Sequence, residues 1–264
     1  MQTRHSPLDQ GAVGEGVACT PVELLIAVIA RLLSGVQHVA VGASSPIPGS
    51  GALLARALSH GALRVTVLGS RRNNFFTSGG VELFDLAAQG RIDAFFLGGG
   101  QIDGEANINL VGAGDYPRNE VRWPGSFGSA YLYFLVPRVI LFREEHTRRV
   151  MVQKVDFISA PGTSASNVHR PGGPHALLTG LGLFSFDRRR RRFRLESVHP
   201  DHSVEEILDN TGFDFDRPDV VPVTALPAAD VLQRIRVEVK AGIAESYPRF
   251  AACGAIAPQA AKRG

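Results

Sequence analysis

The sequence is poor in cysteine, which limits the sites and cross-links that it can build. Its 264 residues include two cysteines, Cys19 and Cys253, which lie near opposite ends of the chain without a paired spacing. This arrangement argues against a zinc site and against a disulfide framework. The eight histidines are scattered, with neither a metal-ligand spacing nor a Ser–His–Asp pattern. We therefore predict no metal site and expect His146, His199 and His202 to be structural.

Long apolar runs and clustered lysines are also missing. Because there is no N-terminal apolar h-region and no apolar span of 18 residues, we expect a soluble, cytoplasmic protein with no membrane partner. The pI of 9.1 owes much to the arginines at positions 188–192 and 194, and the net charge is only +3. Without a recognition module this predicts no nucleic-acid partner. The arginine run is either a solvated hairpin tip or a site for the phosphates of a nucleotide-like cofactor.

The order of apolar segments predicts an α/β fold with an open, mostly parallel sheet, helices on both faces, and a mixed or antiparallel second half. In the first half, Thr20, Pro21 and Glu23 form a helix start with a capping box, and Gly35 ends that helix. Strands are predicted at residues 37–41, 63–68 and 92–97, with helices at 52–58 and 81–88. We expect one domain over residues 20–240, with poorly ordered tails at 1–19 and 251–264.

The second half shows a different pattern. We predict a helix at residues 130–135, a strand at 139–142 and one or two strands within 150–159. Residues 176–186 and 193–198 are typical of a hairpin that bends at the arginine run. A second capping box, Ser203 with Glu206, starts a helix that ends near residue 212, and a last helix covers residues 228–240.

Three glycines follow the apolar strand at residues 92–97, and polar side chains come directly after them. A buried strand ends in glycines where the backbone turns sharply or approaches another segment closely. The residues concerned are Gly98, Gly99, Gly100, Gln101, Asp103, Asn107 and Asn109. The carboxyl end of a parallel strand is where open α/β sheets place ligands. A tight turn packed under another loop explains the same residues equally well.

Two further glycine-bearing loops lead from strands toward helices. The loop at residues 42–51, with Gly42, Ser44, Ser45 and Gly49, can hold a phosphate or carboxylate on backbone N–H groups or can be a plain connection. It matches neither a Walker A loop nor a dinucleotide fingerprint. In the second loop, adjacent N–H groups can form an oxyanion hole, or the segment can be an ordinary turn before a helix. Its residues are Gly125, Ser126, Phe127 and Gly128.

Taken together, these stretches resemble the β-type subunit of family I CoA-transferases, such as the glutaconate and 3-oxoacid CoA-transferases. The matching segments occur in the family's order between about residues 20 and 240. They are residues 99–103, 106–109, 124–128, 145–147, 155–162, 179–186, 198–200 and 204–213. The resemblance implies a three-layer α/β/α fold, a partner α-type subunit in an α2β2 assembly and an active site at the subunit interface. It also implies an acyl-CoA substrate with no bound cofactor, and an oxyanion role for the loop that ends at Gly128.

The chain departs from that family at two positions. Leu68 falls where the resemblance places the nucleophilic glutamate, and a leucine cannot attack a thioester. Phe127 replaces one of a glycine pair in the oxyanion loop, which changes the loop geometry or closes part of the pocket. We therefore expect either CoA transfer with an unusual nucleophile or, more in keeping with Leu68, hydrolysis of the acyl-CoA substrate. CoA-transferase-like pairs that lack the glutamate include ring-opening hydrolases. The alternative is a non-catalytic stabilising subunit or a binding module for CoA or a sugar phosphate.

Overall fold

The structure is a computed structural model that describes residues 18–257. These residues form two compact units: one contains residues 18–75 and 225–257, and the other contains residues 76–224. The single domain predicted over residues 20–240 stays a prediction. The predicted disorder of residues 1–17 and 258–264 lies outside the described residues.

The first unit begins with two helices and two parallel strands in alternation. They are α1 (Pro21–Leu32), β1 (His38–Val41), α2 (Pro46–Leu58) and β2 (Arg64–Val67). The predicted capping box at the start of α1 is present, because Thr20 Oγ1 accepts from the Glu23 amide and the Glu23 carboxylate accepts from the Thr20 amide. Strands β1 and β2 pair in parallel, with Val41 opposite Val67, so their carboxyl ends lie side by side.

Helix α2 corrects the prediction of a loop over residues 42–51. The helix begins at Pro46 rather than at residue 52, since proline is well tolerated in the first turn of a helix. Gly49 and Gly51 are buried inside this helix instead of exposed in a loop. A Cβ added at Gly51 would lie 2.3 Å from Ile29 Cγ2 of α1. Close packing of the two helices therefore accounts for the glycine that suggested a flexible loop.

The second unit carries most of the strands. In chain order its elements are α3 (Gly80–Ala88), β3 (Ala94–Leu97), β4 (Gln101–Ile102), β5 (Ile108–Asn109), β6 (Gly112–Ala113), β7 (Val121–Arg122), α4 (Ser129–Leu135), β8 (Arg138–Arg143), β9 (Pro174–Thr179), β10 (Gly182–Asp187), β11 (Arg192–Val198) and α5 (Val204–Asn210). Strands β3, β8 and β9 run parallel, whereas β10 and β11 continue the same sheet in antiparallel pairing. This confirms the α/β fold class with a mixed second half, parallel at β8 and β9 and antiparallel at β10 and β11.

Two details of the second unit differ from the prediction. The segment 176–186 is not one strand of a hairpin, because the chain turns at residues 180–181 and forms β9 and β10 as separate neighbours. A Cβ at Gly180 would lie 2.6 Å from the Glu144 carbonyl oxygen, so the turn lies tight against the residue that follows β8. The predicted strands within residues 150–159 reduce to one isolated bridge at Met151, and a second bridge follows at Ala160.

The chain returns to the first unit through a long interrupted helix. It consists of α6 (Ala229–Arg234), a π-helical turn (Ile235–Val239) and α7 (Lys240–Ala244), and is followed by α8 (Pro248–Ala252). Residues 251–257, predicted to be a loose tail, begin in α8 and bury Ile256, so the tail starts later than the composition suggested. Within residues 18–257, no helix combines the length and apolarity needed to cross a membrane.

Candidate functional site

In the first unit, Leu68 lies directly beyond the carboxyl end of β2. Its backbone N–H donates to the Val41 carbonyl at 3.0 Å, which places it beside the start of the loop that follows β1. The leucine side chain is half-buried, and Gly69 after it has φ of +87°. The structure therefore brings Leu68 and Gly42 together at one edge of the two-stranded parallel pair.

A carboxylate from the far end of the chain holds the loop after Leu68. Glu245, just past α7, accepts from Ser70 Oγ at 2.6 Å and from the Arg71 amide at 2.8 Å. The Ser70 hydroxyl, followed by the Arg71 amide, lowers the pKa of Glu245, so this carboxylate stays ionised. No local sequence pattern indicates a contact across 175 residues.

The loop after β1 offers few donors for the predicted anion. The Ser45 amide donates to the Tyr247 hydroxyl at 3.2 Å, and Pro46 and Pro48 have no N–H. Ser44 stands at φ of +58° in the exposed turn. A Cβ at the buried Gly49 would lie 3.0 Å from Ile243 Cδ1, so this glycine serves helix packing. An anion-binding role for this loop stays a prediction.

In the second unit, the glycines after β3 permit close packing of backbone against neighbouring side chains. A Cβ on Gly99 would lie 2.8 Å from the Gln101 carbonyl oxygen, and one on Gly100 would lie 2.4 Å from the Trp123 ring. Contacts at these distances do not occur with a real Cβ, so the main chain can follow this path only with glycine. The tryptophan thereby lies directly on the strand end.

The polar residues that follow these glycines are buried and bonded to the protein itself. Asp103 Oδ1 accepts from the Asn107 amide at 3.0 Å, and Asn107 Nδ2 donates to Asp103 Oδ2 at 3.2 Å. Asn107 Oδ1 in turn accepts from the Gly162 amide at 3.0 Å. The interpretation as a tight turn packed under another loop describes this pair well, because these bonds stay within the protein.

Gln101 and Asn109 lie opposite each other on β4 and β5 and belong to a second network of hydrogen bonds. Asn109 Nδ2 donates to Gln101 Oε1 at 2.8 Å, and Gln101 Nε2 donates to Asp156 Oδ2 at 2.9 Å. Asn109 Oδ1 accepts from the Val111 amide at 3.0 Å. Burial makes such bonds costly to break, so this network fixes the backbone at residues 110–112.

The loop before α4 is anchored on that fixed backbone. Trp123 donates its amide to the Val111 carbonyl at 2.9 Å, and Gly125 donates its amide to the Leu110 carbonyl at 3.2 Å. Gly128 is the N-cap of α4 with φ of +66°, and Ser129 closes the turn by donating its amide to the Ser126 carbonyl at 2.6 Å. The buried networks therefore determine where the predicted oxyanion loop stands.

Three consecutive N–H groups of this loop make no hydrogen bond within the part of the chain that the structure describes. Gly125 donates its amide to Leu110, whereas the amides of Ser126, Phe127 and Gly128 have no acceptor among the residues that the structure describes. Adjacent free amides before a helix can stabilise a developing oxyanion. An oxyanion role for this loop stays a prediction, and the Gly125 amide is already used within the protein, by the Leu110 carbonyl.

His146, in the second unit, is buried and hydrogen-bonded on both ring nitrogens. His146 is buried between Thr179 Oγ1, 2.8 Å from Nδ1, and Thr211 Oγ1, 2.9 Å from Nε2. Both threonine hydroxyls also contact backbone carbonyls, Thr211 that of Ile207 and Thr179 that of Gly182, so His146 lies in a network of buried hydrogen bonds. Burial lowers the pKa of His146 to about 4.

This depressed pKa predicts an acid-dependent loss of stability. His146 stays neutral in the folded state but takes up a proton near pH 6.5 when the chain unfolds. Its contribution is complete above pH 6.5 and is lost as the pH falls toward 4, with a total of about 3 kcal/mol. Urea unfolding at several pH values measures this, with His146→Gln as the comparison. The same slope of unfolding free energy between pH 6.5 and 4 in both proteins would contradict the assignment.

The arginine run lies at the hairpin between β10 and β11 and is largely engaged. Arg190 and Arg192 both contact the Asp216 carboxylate, with Arg192 Nε 2.8 Å from Oδ1, while Arg188 donates to backbone carbonyls. This favours the hairpin-tip interpretation over a phosphate site. Throughout residues 18–257, no cluster of three His, Cys, Asp or Glu side chains is placed to hold a metal ion.

Comparisons with known proteins identify the family. The Coenzyme A transferase family model matches residues 14–210. The B-type subunit of 3-oxoadipate CoA-transferase from Pseudomonas knackmussii is 31% identical over 215 residues, covering 79% of this chain and 80% of that protein. The B-type subunit of glutaconate CoA-transferase from Acidaminococcus fermentans is 33% identical over 154 residues, which cover 56% of this chain and 57% of that protein.

A related hydrolase is also similar. The cholesterol ring-cleaving hydrolase IpdB subunit of Rhodococcus jostii is 28% identical over 159 residues, covering 59% of this chain and 62% of that one. The crystal structure of IpdAB from that organism matches with a TM-score of 0.75 at 25% identity, covering 84% of this chain and 94% of that chain. Similarity to named transferases and to a named hydrolase shows a shared fold with more than one chemistry. By sequence and by fold, this chain belongs to the coenzyme A transferase family.

Proposed function

We propose that the chain is the β-type subunit of a two-subunit, cytoplasmic enzyme that acts on an acyl-CoA. Family membership supports the substrate class, and the B-type subunits among its relatives support a partner α-type subunit. The α2β2 assembly is the one that the family resemblance implies. The proposal requires a group that stabilises charge on the thioester oxygen. The loop before α4 supplies one.

The observation that carries the proposal is the row of unpaired amides at Ser126, Phe127 and Gly128, which find no acceptor within residues 18–257. As the thioester carbonyl is attacked, negative charge develops on its oxygen, and fixed N–H donors lower the energy of that state. Donors held by a rigid backbone need little reorganisation during the reaction. The anchoring bonds at Leu110 and Val111 provide this rigidity.

The reaction proposed is hydrolysis rather than ping-pong CoA transfer. Where the family resemblance places the nucleophilic glutamate, the chain has Leu68, whose apolar side chain forms no covalent intermediate. Water attacks the thioester carbon, the C–S bond breaks, and free acid and coenzyme A leave. The α-type subunit supplies the general base that takes the proton from water.

The buried polar residues act through the loops they hold. Gln101 and Asn109 fix residues 110–112, and those residues anchor the oxyanion loop, so Gln101 is a positioning residue. Asp103 and Asn107 hold the neighbouring turn in the same way. This role replaces direct contact with the substrate, because these side chains are buried and hydrogen-bonded within the protein.

A thiol-release assay tests the proposal. The chain is co-expressed with the α-type subunit encoded beside it and mixed with a panel of acyl-CoAs, with and without a carboxylate acceptor. Free thiol without acceptor is the expected result. A new acyl-CoA formed only with acceptor, without net thiol, would restore CoA transfer and require another nucleophile.

One other function has a specific observation in its favour. Leu68 also fits a non-catalytic subunit that stabilises a partner or binds CoA without turning it over. The retained oxyanion loop argues against this, since a stabilising subunit has no use for free amides. If no acyl-CoA in the panel changes in mass, the non-catalytic function holds. A changed mass without thiol release identifies ring opening with the thioester intact.

A further inference from the structure

Two arginines from different segments of the second unit meet at the end of α4. Arg170 donates from Nη2 to the Tyr133 carbonyl at 2.9 Å, and its guanidinium carbon lies 5.1 Å from the centre of the Tyr133 ring. Arg188, at the hairpin between β10 and β11, donates from Nη2 to the Pro137 carbonyl just beyond α4. A Cβ added at Gly173 would lie 3.5 Å from Arg170 Nε and 3.6 Å from Arg188 Cζ, so the two guanidinium groups flank one residue that has no side chain.

Neither arginine contacts a carboxylate in the part of the chain that the structure describes. Arg170 Nε donates to the Gly172 carbonyl at 3.1 Å, and Arg188 Nε donates to the Pro174 carbonyl at 3.2 Å. Carbonyl oxygens satisfy N–H donors but carry no net charge. Arg170 is half-buried, and charges that leave bulk water in proteins are normally paired with an opposite charge. This pair of arginines therefore lacks a counter-ion.

Arg188 differs in this respect from its neighbours in the hairpin. Arg190 and Arg192 both contact the Asp216 carboxylate, so their charges are compensated within the protein. The Nε and Nη2 atoms of Arg188 donate to neutral carbonyls, and its Nη1 forms no hydrogen bond among the described residues. The hairpin tip as a whole is thus no phosphate site, but Arg188 keeps a charge and a donor for a ligand.

The surroundings add to the positive charge. Partial burial lowers the pKa of His175, at the start of β9, and the charges of Arg138 and Arg188 lower it further. Burial also lowers the pKa of Arg170, and the charge of Arg188 acts in the same direction. Mutual repulsion of this kind marks an excess of positive charge at the amino ends of β8 and β9, and such a region attracts anions.

We propose that Arg170 and Arg188 together bind a phosphate group at the end of α4. A phosphate group has three acceptor oxygens and nearly two negative charges at neutral pH, so it can accept from both guanidinium groups at once. A carboxylate has a single charge and matches the fork of one guanidinium. The Tyr133 ring and the Tyr133 carbonyl hold Arg170 in place, which lowers the cost of ordering it on binding. The oxyanion loop lies at the other end of α4, so the two sites are separate and this proposal does not rest on the proposed function.

Isothermal titration calorimetry of the full chain with potassium phosphate tests the proposal, with potassium chloride at equal ionic strength as the reference. Saturable binding of phosphate is the expected result. Arg188→Gln should weaken it about tenfold or more, as expected for losing hydrogen bonds between charged groups. Arg189→Gln is the matched control, since it removes the same charge from an exposed position of the same hairpin. It should keep the affinity within about twofold, because salt screens exposed charges that do not touch the ligand.

A second substitution covers the case in which Arg188→Gln unfolds the chain. Arg188→Lys keeps the charge but loses the planar fork, so it should weaken phosphate binding while the melting temperature stays near that of the wild type. Coenzyme A, titrated in the same way, distinguishes the sources of the phosphate group. Binding of coenzyme A that depends on Arg188, without binding of inorganic phosphate, assigns the site to a phosphate of the larger molecule. Absence of saturable binding of both ligands, or equal losses in Arg188→Gln and Arg189→Gln, would overturn the proposal.

Discussion

Replacing Gly128 with alanine is expected to lower kcat of the assembled enzyme about 100- to 1,000-fold, the cost of losing an oxyanion donor. Gly128 has φ of +66°, which disfavours any side chain, and a Cβ there would lie 2.3 Å from Phe84 Cζ. Either the phenyl ring or the loop must move. Movement of the loop would displace the amides of Phe127 and Gly128 from the thioester oxygen that they are proposed to bind. Steady-state kinetics on an acyl-CoA that the enzyme turns over measures the effect.

A matched glycine separates backbone strain from the site. Gly90 has φ of +67°, almost the same as Gly128, but a Cβ there would meet nothing within 4 Å. Gly90→Ala should lower the melting temperature slightly and leave kcat within about twofold, because its strain is remote from the loop. A second check is Gly128→Ala combined with Phe84→Leu, which removes the clashing ring edge. Equal kcat for Gly128→Ala and Gly90→Ala would disprove the oxyanion role of this loop.

Replacing Glu23 with alanine should cost about 3–5 kcal/mol of unfolding free energy, the largest stability effect that we predict. Glu23 is fully buried, and its carboxylate binds the Arg236 guanidinium through two bonds of 2.7 and 2.9 Å. Burial by itself raises the pKa of Glu23. The hydrogen bonds from Arg236 and from the Thr20 amide outweigh burial and lower the pKa below its usual value, so the group is charged. Its removal leaves Arg236 as a buried charge without its carboxylate.

The change is measured by urea unfolding of the chain, with two comparison variants. Changing Glu238 to alanine should lower the unfolding free energy by less than about 1 kcal/mol, because this residue is largely exposed and its carboxylate lies 3.9 Å from the Arg234 guanidinium. The double substitution Glu23→Leu with Arg236→Met should recover most of the lost stability, because no charge stays buried. A loss below about 1 kcal/mol in Glu23→Ala would show that this pair does not hold α1 to the π-helical turn.

Local signals in the sequence were enough for much of the fold. The capping box at Thr20 and Glu23 is confirmed. It was predictable because both of its hydrogen bonds lie within one turn of the helix. Strands β1, β2, β3 and β8 fall within one or two residues of their predicted positions, since each is an apolar run bounded by turn residues. Where the prediction was wrong, at residues 42–51, the glycines are explained by packing against a neighbouring helix. Propensity alone cannot show that.

The candidate site also has features that the sequence predicts and contacts that it does not. Its glycine-rich loops were visible because glycine before a polar turn is a local pattern. The contacts that give those loops their shape join distant residues, such as Gly100 with Trp123 and Ser70 with Glu245. The burial of Asp103 likewise depends on segments that reach it from elsewhere, including the Val155 amide at 3.4 Å. Packing of this kind is decided by the whole fold and has no local signature.

Turnover in H2¹⁸O, followed by mass spectrometry of all products, tests the central claim most directly. The assembled enzyme is given an acyl-CoA that it turns over, without a carboxylate acceptor. The proposed hydrolysis, with Leu68 in place of a nucleophilic glutamate, predicts free coenzyme A, a free acid carrying one ¹⁸O atom, and a chain of unchanged mass. A chain that gains the mass of coenzyme A, or an acid without ¹⁸O, would show covalent CoA transfer and contradict the account.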